Sequence, residues 1–128
     1  MSFTNFLETE ILDHVFGGNA YSAPGTLYVG LFTAAPDDTG GGTEVSTSGT
    51  GYARQSAAFT VTGNTASNSA SIEYPTATAS YGTVTHVGIF DAASSGNLMA
   101  YASLTASKAI DTGDVFRIPT GDLDVTLD

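Results

Sequence analysis

The aspartates are the residues whose spacing comes nearest to a chemical site. Asp37-Asp38 opens a glycine-rich loop, and Asp111, Asp114, Asp122 and Asp124 gather in the last turns of the chain. Hard cations such as Ca²⁺ accept oxygen ligands of this kind, so a structural calcium is the one metal reading these residues allow. Their spacing matches no EF-hand, and aspartate in a turn ordinarily accepts hydrogen bonds from its own backbone. No cofactor is therefore expected. Acyl transfer would need a histidine beside a nucleophile, and the chain offers only His14 and His86. His14 falls at the end of a helical stretch, where it suits the helix dipole. His86 falls inside a strand-like run between Thr85 and Val87. No G-x-S-x-G elbow accompanies them. Glu44 or Glu73 with an aspartate could supply the paired carboxylates of glycoside cleavage. The chain has no Trp to act as a sugar platform. Gly40-Gly41-Gly42 lacks the Lys-Ser/Thr pair and the following helix that a phosphate loop requires. The residues together point away from an enzyme.

Charge narrows the partners. Thirteen acidic residues face only Arg54, Lys108 and Arg117, for a formal net charge of −10. Such a surface repels phosphate backbones and anionic membranes, so neither nucleic acid nor membrane is an expected partner. Only 12% of the residues are charged, and the polar remainder is mostly Ser, Thr, Gly and Asn. A surface of that kind loses its water cheaply when it meets a neighbour. In so acidic a chain each of the three cations is expected to meet a carboxylate, within the subunit or across an interface. Arg54 and Arg117 are accordingly candidate interface residues. There is no cysteine, so stability has to come from apolar packing, the hydrogen-bond ladder and contacts between subunits. The first residues have no basic stretch, and Glu8, Glu10 and Asp13 interrupt the apolar ones that follow. Neither a secretory leader nor a bilayer span is expected. The product is made in a cytoplasm and stays there or leaves inside something larger.

The elements that would hold these groups divide into one helix and a β core, within a single domain over residues 1–128. Phe3, Leu7, Ile11 and Val15 fall at intervals of four, widened by Phe6, Leu12 and Phe16. That spacing predicts an amphipathic helix over residues 3–16. Ser2, Thr4 and Asn5 offer N-caps, Asn5 with Glu8 resembles a capping box, and Gly17-Gly18 ends the helix. Its phenylalanine-rich stripe either packs on its own sheet or docks into a neighbouring subunit. From residue 26 to 128 the chain reads as β. Strand-like runs cover residues 26–33, 52–61, 67–74, 83–91, 97–104, 115–118 and 123–127. Seven short strands with turn signals between them predict a β-sandwich or open barrel.

One pattern occurs twice. Val29-Gly30-Leu31-Phe32-Thr33-Ala34-Ala35 returns as Val87-Gly88-Ile89-Phe90-Asp91-Ala92-Ala93, with six of seven positions alike. Two equivalent central strands would explain it. Gly30 and Gly88 stand at the same place in both copies, where a glycine marks a bulge or the close approach of a ring such as Tyr28 or Phe32.

Motifs spread along the chain carry a resemblance. Phe3-x-x-Phe6-Leu7-Glu8 with Leu12-Asp13-His14-Val15, Thr26-Leu27-Tyr28-Val29-Gly30-Leu31-Phe32-Thr33 and Tyr52-Ala53-Arg54-Gln55 are three of them. Thr85-His86-Val87-Gly88-Ile89-Phe90-Asp91 and Gly113-Asp114-Val115-Phe116-Arg117-Ile118-Pro119 complete the set. In these the chain resembles a family of small tailed-bacteriophage virion proteins usually labelled tail-fibre-like. The resemblance brings no catalytic residues, and it implies a non-enzymatic component of the virus particle.

Two places in a virion suit such a chain. A fibre shaft needs length or a trimerising repeat, whereas this is a compact chain with a single echo of one strand. Capsid decoration is therefore preferred: a cement protein packing on the major capsid protein and stabilising the shell by burying surface that exists only after assembly. The alternative is a tail-fibre or tail-tip component that contacts the host surface. Either role implies self-association, with a trimer favoured. Phe3, Phe6, Leu7, Ile11, Val15 and Phe16 are the candidate packing residues. A host-receptor or sugar-binding role would need exposed aromatics, for which Tyr52, Tyr74, Tyr81 and Tyr101 are the stock.

Overall fold

In the computed structural model, which describes residues 1–127, the chain is mainly β with one N-terminal helix. Strand β1 (Ser2–Phe3) leads directly into helix α1 (Asn5–Val15). The long strands are β2 (Leu27–Ala34), β8 (Gly82–Phe90) and β9 (Leu98–Ile110). Short ones lie between and after them: β3 (Thr43–Glu44), β4 (Gln55–Ala57), β5 (Phe59–Thr62), β6 (Thr65–Asn68), β7 (Ile72–Glu73), β10 (Arg117–Ile118) and β11 (Asp124–Thr126). Every pairing is antiparallel. The main sheet runs β1-β9-β8-β2-β3, and β4 also pairs with β2. A three-stranded sheet, β11-β6-β5, and a two-stranded one, β10-β7, accompany it, and none closes into a barrel.

The described residues form eleven strands, against seven expected. The run at 52–61 breaks at Ala58, so that β4 joins the main sheet and β5 the three-stranded one. The run at 67–74 divides in the same way between β6 and β7. β1 and β3 have two residues each, too few to show a period. β9 runs on to Ile110 through a wide bulge: Val84 pairs with Lys108 and His86 with Ser103, which leaves Leu104 to Ser107 opposite Thr85 alone.

The two motif copies are hydrogen-bonded neighbours at the centre of the main sheet. Gly30 stands directly opposite Gly88, flanked by Val29 with Ile89 and Leu31 with Val87. On one face Val29, Leu31, Val87 and Ile89 enter the principal core. Tyr52, Tyr74 and Tyr81 lie in that core, each under 5% exposed. They therefore supply no surface aromatics, and of the four tyrosines only Tyr101 keeps partial exposure. Apolar surroundings take the rings, while each hydroxyl finds a backbone partner. Tyr74 donates to the Val29 carbonyl at 2.8 Å, Tyr81 donates to the Pro75 carbonyl at 2.7 Å, and Tyr52 accepts the Leu31 N–H at 2.9 Å. Burial pushes the Tyr52 and Tyr74 phenols well above the usual range.

The opposite face carries a smaller cluster of Phe32, Phe90 and Leu98, with Tyr28 and Tyr101 against it. The glycines make room for these rings. A Cβ on Gly88 would lie 2.8 Å from Phe32 Cε1 and 2.6 Å from Leu98 Cδ1, and one on Gly30 would lie 2.9 Å from Phe90 Cε2. Each ring thus sits over the glycine of the partner strand, and the two rings stack with centroids 6.0 Å apart and planes 11° apart.

Helix α1 is shorter than expected because Ser2 and Phe3 pair with Tyr101 and Ala100 of β9. Thr4 occupies the N-cap position but makes no cap hydrogen bond. Its hydroxyl instead donates to the Leu98 carbonyl at 2.6 Å, and its N–H donates to the Met99 carbonyl at 2.9 Å. The buried Thr4 is a bolt between helix and sheet, and the capping box with Glu8 does not form. At the other end Gly17 donates to Leu12 and Gly18 takes a φ of 77°, as the C-terminal glycines require.

Substituting alanine at Gly30 or Gly88 is expected to lower stability by about 1–3 kcal/mol through overpacking. Gly25→Ala, where nothing lies within 4 Å, should leave it unchanged. Midpoints of urea unfolding check both.

Candidate functional site

The second face of the sheet is locked by the side chain of Arg54. Tyr52 and Arg54 are two residues apart on extended chain, so both reach the same neighbour, Glu44 of β3. Arg54 Nε donates to Glu44 Oε2 at 2.9 Å and Nη2 donates to Oε1 at 2.8 Å, a two-pronged pair. Tyr52 adds a 2.6 Å hydrogen bond to Oε2. The remaining Arg54 nitrogen, Nη1, donates to the carbonyls of Ala92 at 3.0 Å and Ser95 at 2.8 Å in the β8–β9 turn. The guanidinium carbon lies 3.4 Å from the centroid of the Phe90 ring, a stacked cation–π contact. Only 9% of the Arg54 side chain is exposed. Every group here has a partner, so the cluster is a clamp and not a reactive centre.

Arg54–Glu44 is the one ion pair among the described residues. Arg117 is exposed and lies across from Glu73 in the register of β10 and β7, without closing to an ion pair. Lys108 is exposed beside the bulge. Of the three cations expected to meet a carboxylate within the subunit or across an interface, Arg54 meets one within the subunit. The Gln55-to-Phe59 stretch gives no hint of Glu44; the useful signal was Tyr52 and Arg54 on one side of the same chain.

The aspartates disperse into local roles. Asp37 Oδ1 accepts from the Thr39 hydroxyl at 2.5 Å and from the N–H groups of Thr39 and Gly41, and these bonds hold its carboxyl below the usual range. Asp114 accepts from the Asp111 N–H, Asp124 from the Ser67 hydroxyl, and Asp38 from the Tyr101 hydroxyl. Among the described residues no three His, Asp or Glu side chains gather as metal ligands. His14 Nδ1 accepts from the Tyr21 N–H, and His86 Nδ1 meets its neighbour Thr85.

The helix stripe splits in two. Phe3, Phe6, Leu7 and Ile11 are half-buried, the Phe6 ring edge-on to Tyr21, whereas Leu12, Val15 and Phe16 are 58%, 61% and 83% exposed. Between the helix and the three-stranded sheet runs a groove of about 250 Å³ with apolar walls. Phe3 and Leu7 form one wall, Phe59, Val61 and Val125 the other, and Met99 part of the floor. Val61 is itself 70% exposed. This groove and the projecting helix end are apolar surfaces that the described residues leave uncovered. Sequence patterning identified the helix half; Phe59, Val61 and Val125 were legible only as strand residues.

Arg54→Met is expected to cost roughly 2 kcal/mol, because it leaves the half-buried Glu44 carboxylate with the Tyr52 hydroxyl but no cation and leaves two carbonyls without their donor. Arg117→Met should change stability by less than about 0.5 kcal/mol. Chemical denaturation of the two variants measures the contrast. No curated protein matches the chain. The family described as podophage GP4 fiber I protein gp80 matches residues 2–126. That span takes in both motif copies, the Arg54 clamp, the helix and all eleven strands. The chain thus belongs to this family of phage fibre proteins and is a structural component of a virion.

Proposed function

We propose that the chain is a fibre component of a tailed phage, performs no catalysis and acts by packing against other virion proteins and against copies of itself. The family match over residues 2–126 carries this reading. It favours the tail-fibre alternative over the capsid-cement role that compactness alone suggested. The clamp around Arg54 agrees with a structural part, since its polar groups are all used internally. A net charge of −10 argues against DNA and anionic membrane as partners. A second copy is the occupant suited to the apolar surface, because Phe16 and Val15 supply projecting side chains and the groove beside Leu7 supplies a recess in the same chain. A trimer is the favoured assembly.

Reconstruction of the virion should place this chain in density on the tail; density confined to the capsid lattice would overturn the fibre role. Light scattering after size exclusion should give a trimer for the isolated chain. Phe16→Asp together with Val61→Asp should shift it to monomer at unchanged helix and strand content. A wild-type chain that is monomeric at every concentration would overturn self-association.

A further inference from the structure

A second recess lies on the other side of the helix. It is a cleft of about 420 Å³ where the start of α1, the β2–β3 loop and the β8–β9 turn meet. Its size is that of a small-molecule site. Its walls are fixed by hydrogen bonds between and within the three segments. The Asn5 N–H donates to the Asp38 carbonyl at 2.9 Å, and Thr4 bolts the helix to Leu98. Asp91 grips Asn97 through both oxygens, at 2.7 Å from its N–H and 2.9 Å from its side-chain nitrogen. Arg54 holds the same turn from beneath by its two carbonyl contacts. A recess tied in this way has its Asp38 and Asn97 side chains oriented before anything binds.

What lines the cleft is chemically mixed. Asp38 gives one carboxylate oxygen to Tyr101, and its other oxygen has no partner among the described residues. The same holds for the carbonyl oxygen of the Asn97 side chain and for the whole Asn5 amide. These are acceptors and donors on planar groups, with Thr39 beside them. Carbon surface from Phe6 and Leu98 completes the lining. No Lys or Arg is among the lining residues, and the chain as a whole carries −10. Phosphate, sulfate and carboxylate ligands are repelled by that field. A ligand that offers hydroxyls, each both donor and acceptor, around a ring with C–H patches satisfies every one of these groups.

We infer that this cleft binds a neutral sugar residue, of the kind displayed by the polysaccharides of a bacterial surface. The bacterial source rests on the fibre reading; the chemistry of the cleft does not. Asn5, Asp38 and Asn97 take the hydroxyls, and Phe6 takes the carbon face.

The test is an amide chemical-shift titration of the isotope-labelled full chain with glucose, galactose, rhamnose and N-acetylglucosamine, and with glucuronate and glucose 6-phosphate. At least one neutral sugar should give saturable shifts at Asn5, Thr39, Gly40, Gly96 and Asn97, and the two anionic ones should give none. Asn5→Ala and Asp38→Ala should each raise the dissociation constant about tenfold, the effect of losing one good hydrogen bond. Thr60→Ala, on the far sheet, should leave it unchanged. Absence of saturable shifts with all four neutral sugars, shifts centred elsewhere, or unaltered affinity in both cleft variants would overturn the site. A tail location without sugar shifts removes this site and leaves the fibre reading intact. Sugar binding by a chain found on the capsid removes the fibre reading and leaves the site intact.

Discussion

The opposition of Gly30 and Gly88 across the two central strands is the constraint from which the rest of the molecule follows. Glycine within a strand costs up to about 1 kcal/mol in conformational entropy, so two of them facing each other are a local weakness. The weakness is offset because their bare backbones admit Phe90 and Phe32, which could not otherwise approach the sheet. Phe90 laid flat gives Arg54 a surface to stack on. Arg54 held there reaches Glu44 on one side and the β8–β9 turn on the other. The shape of that turn, with Ser95 at a φ of 52° and Gly96 at 72°, is thus tied through a ring and a guanidinium to two absent side chains. A sheet that might have had one polar face instead has two cores.

How much of this the amino-acid sequence reveals depends on whether a signal is local. The doubled Val-Gly-Leu/Ile-Phe pattern marked β2 and β8 as equivalent and central, and they are neighbours with their glycines in register. The spacing of Phe3, Leu7 and Ile11 marked the helix. Periodicity, however, states which face of a strand is apolar and not which sheet that strand will join. The divisions at Ala58 and between β6 and β7 were hidden for this reason. The burial of the tyrosines is hidden for a related one. A phenol is at home in water or in a core, and the partner that holds Tyr74 inside, the Val29 carbonyl, lies forty-five residues away along the chain. Thr4 likewise looked like a cap because its alternative partners, Leu98 and Met99, lie over ninety residues away.

The helix shows how a single stripe serves two environments. Its first two turns are fixed by β1, Thr4 and the Asn5–Asp38 bond, and its last turn leaves Leu12, Val15 and Phe16 exposed. The apolar groove and the polar cleft both border the first turns of the helix. The same short element therefore borders an apolar surface and a hydrogen-bonding one, and their chemistry differs because different loops form the opposite walls.

The bulge in β9 has a consequence for how copies of the chain can meet. β1 covers the outer side of β9 only at Ala100 and Tyr101, so most of a thirteen-residue strand lies at the rim of the sheet. A straight rim of that length would accept any stray strand through its backbone, which is the route to disordered growth. Leu104 to Ser107 loop out against a single partner residue and break the even spacing of N–H and C=O groups that such growth needs. Joining by backbone is thereby discouraged, and contact is left to side chains, whose shapes can be matched to one neighbour and to no other.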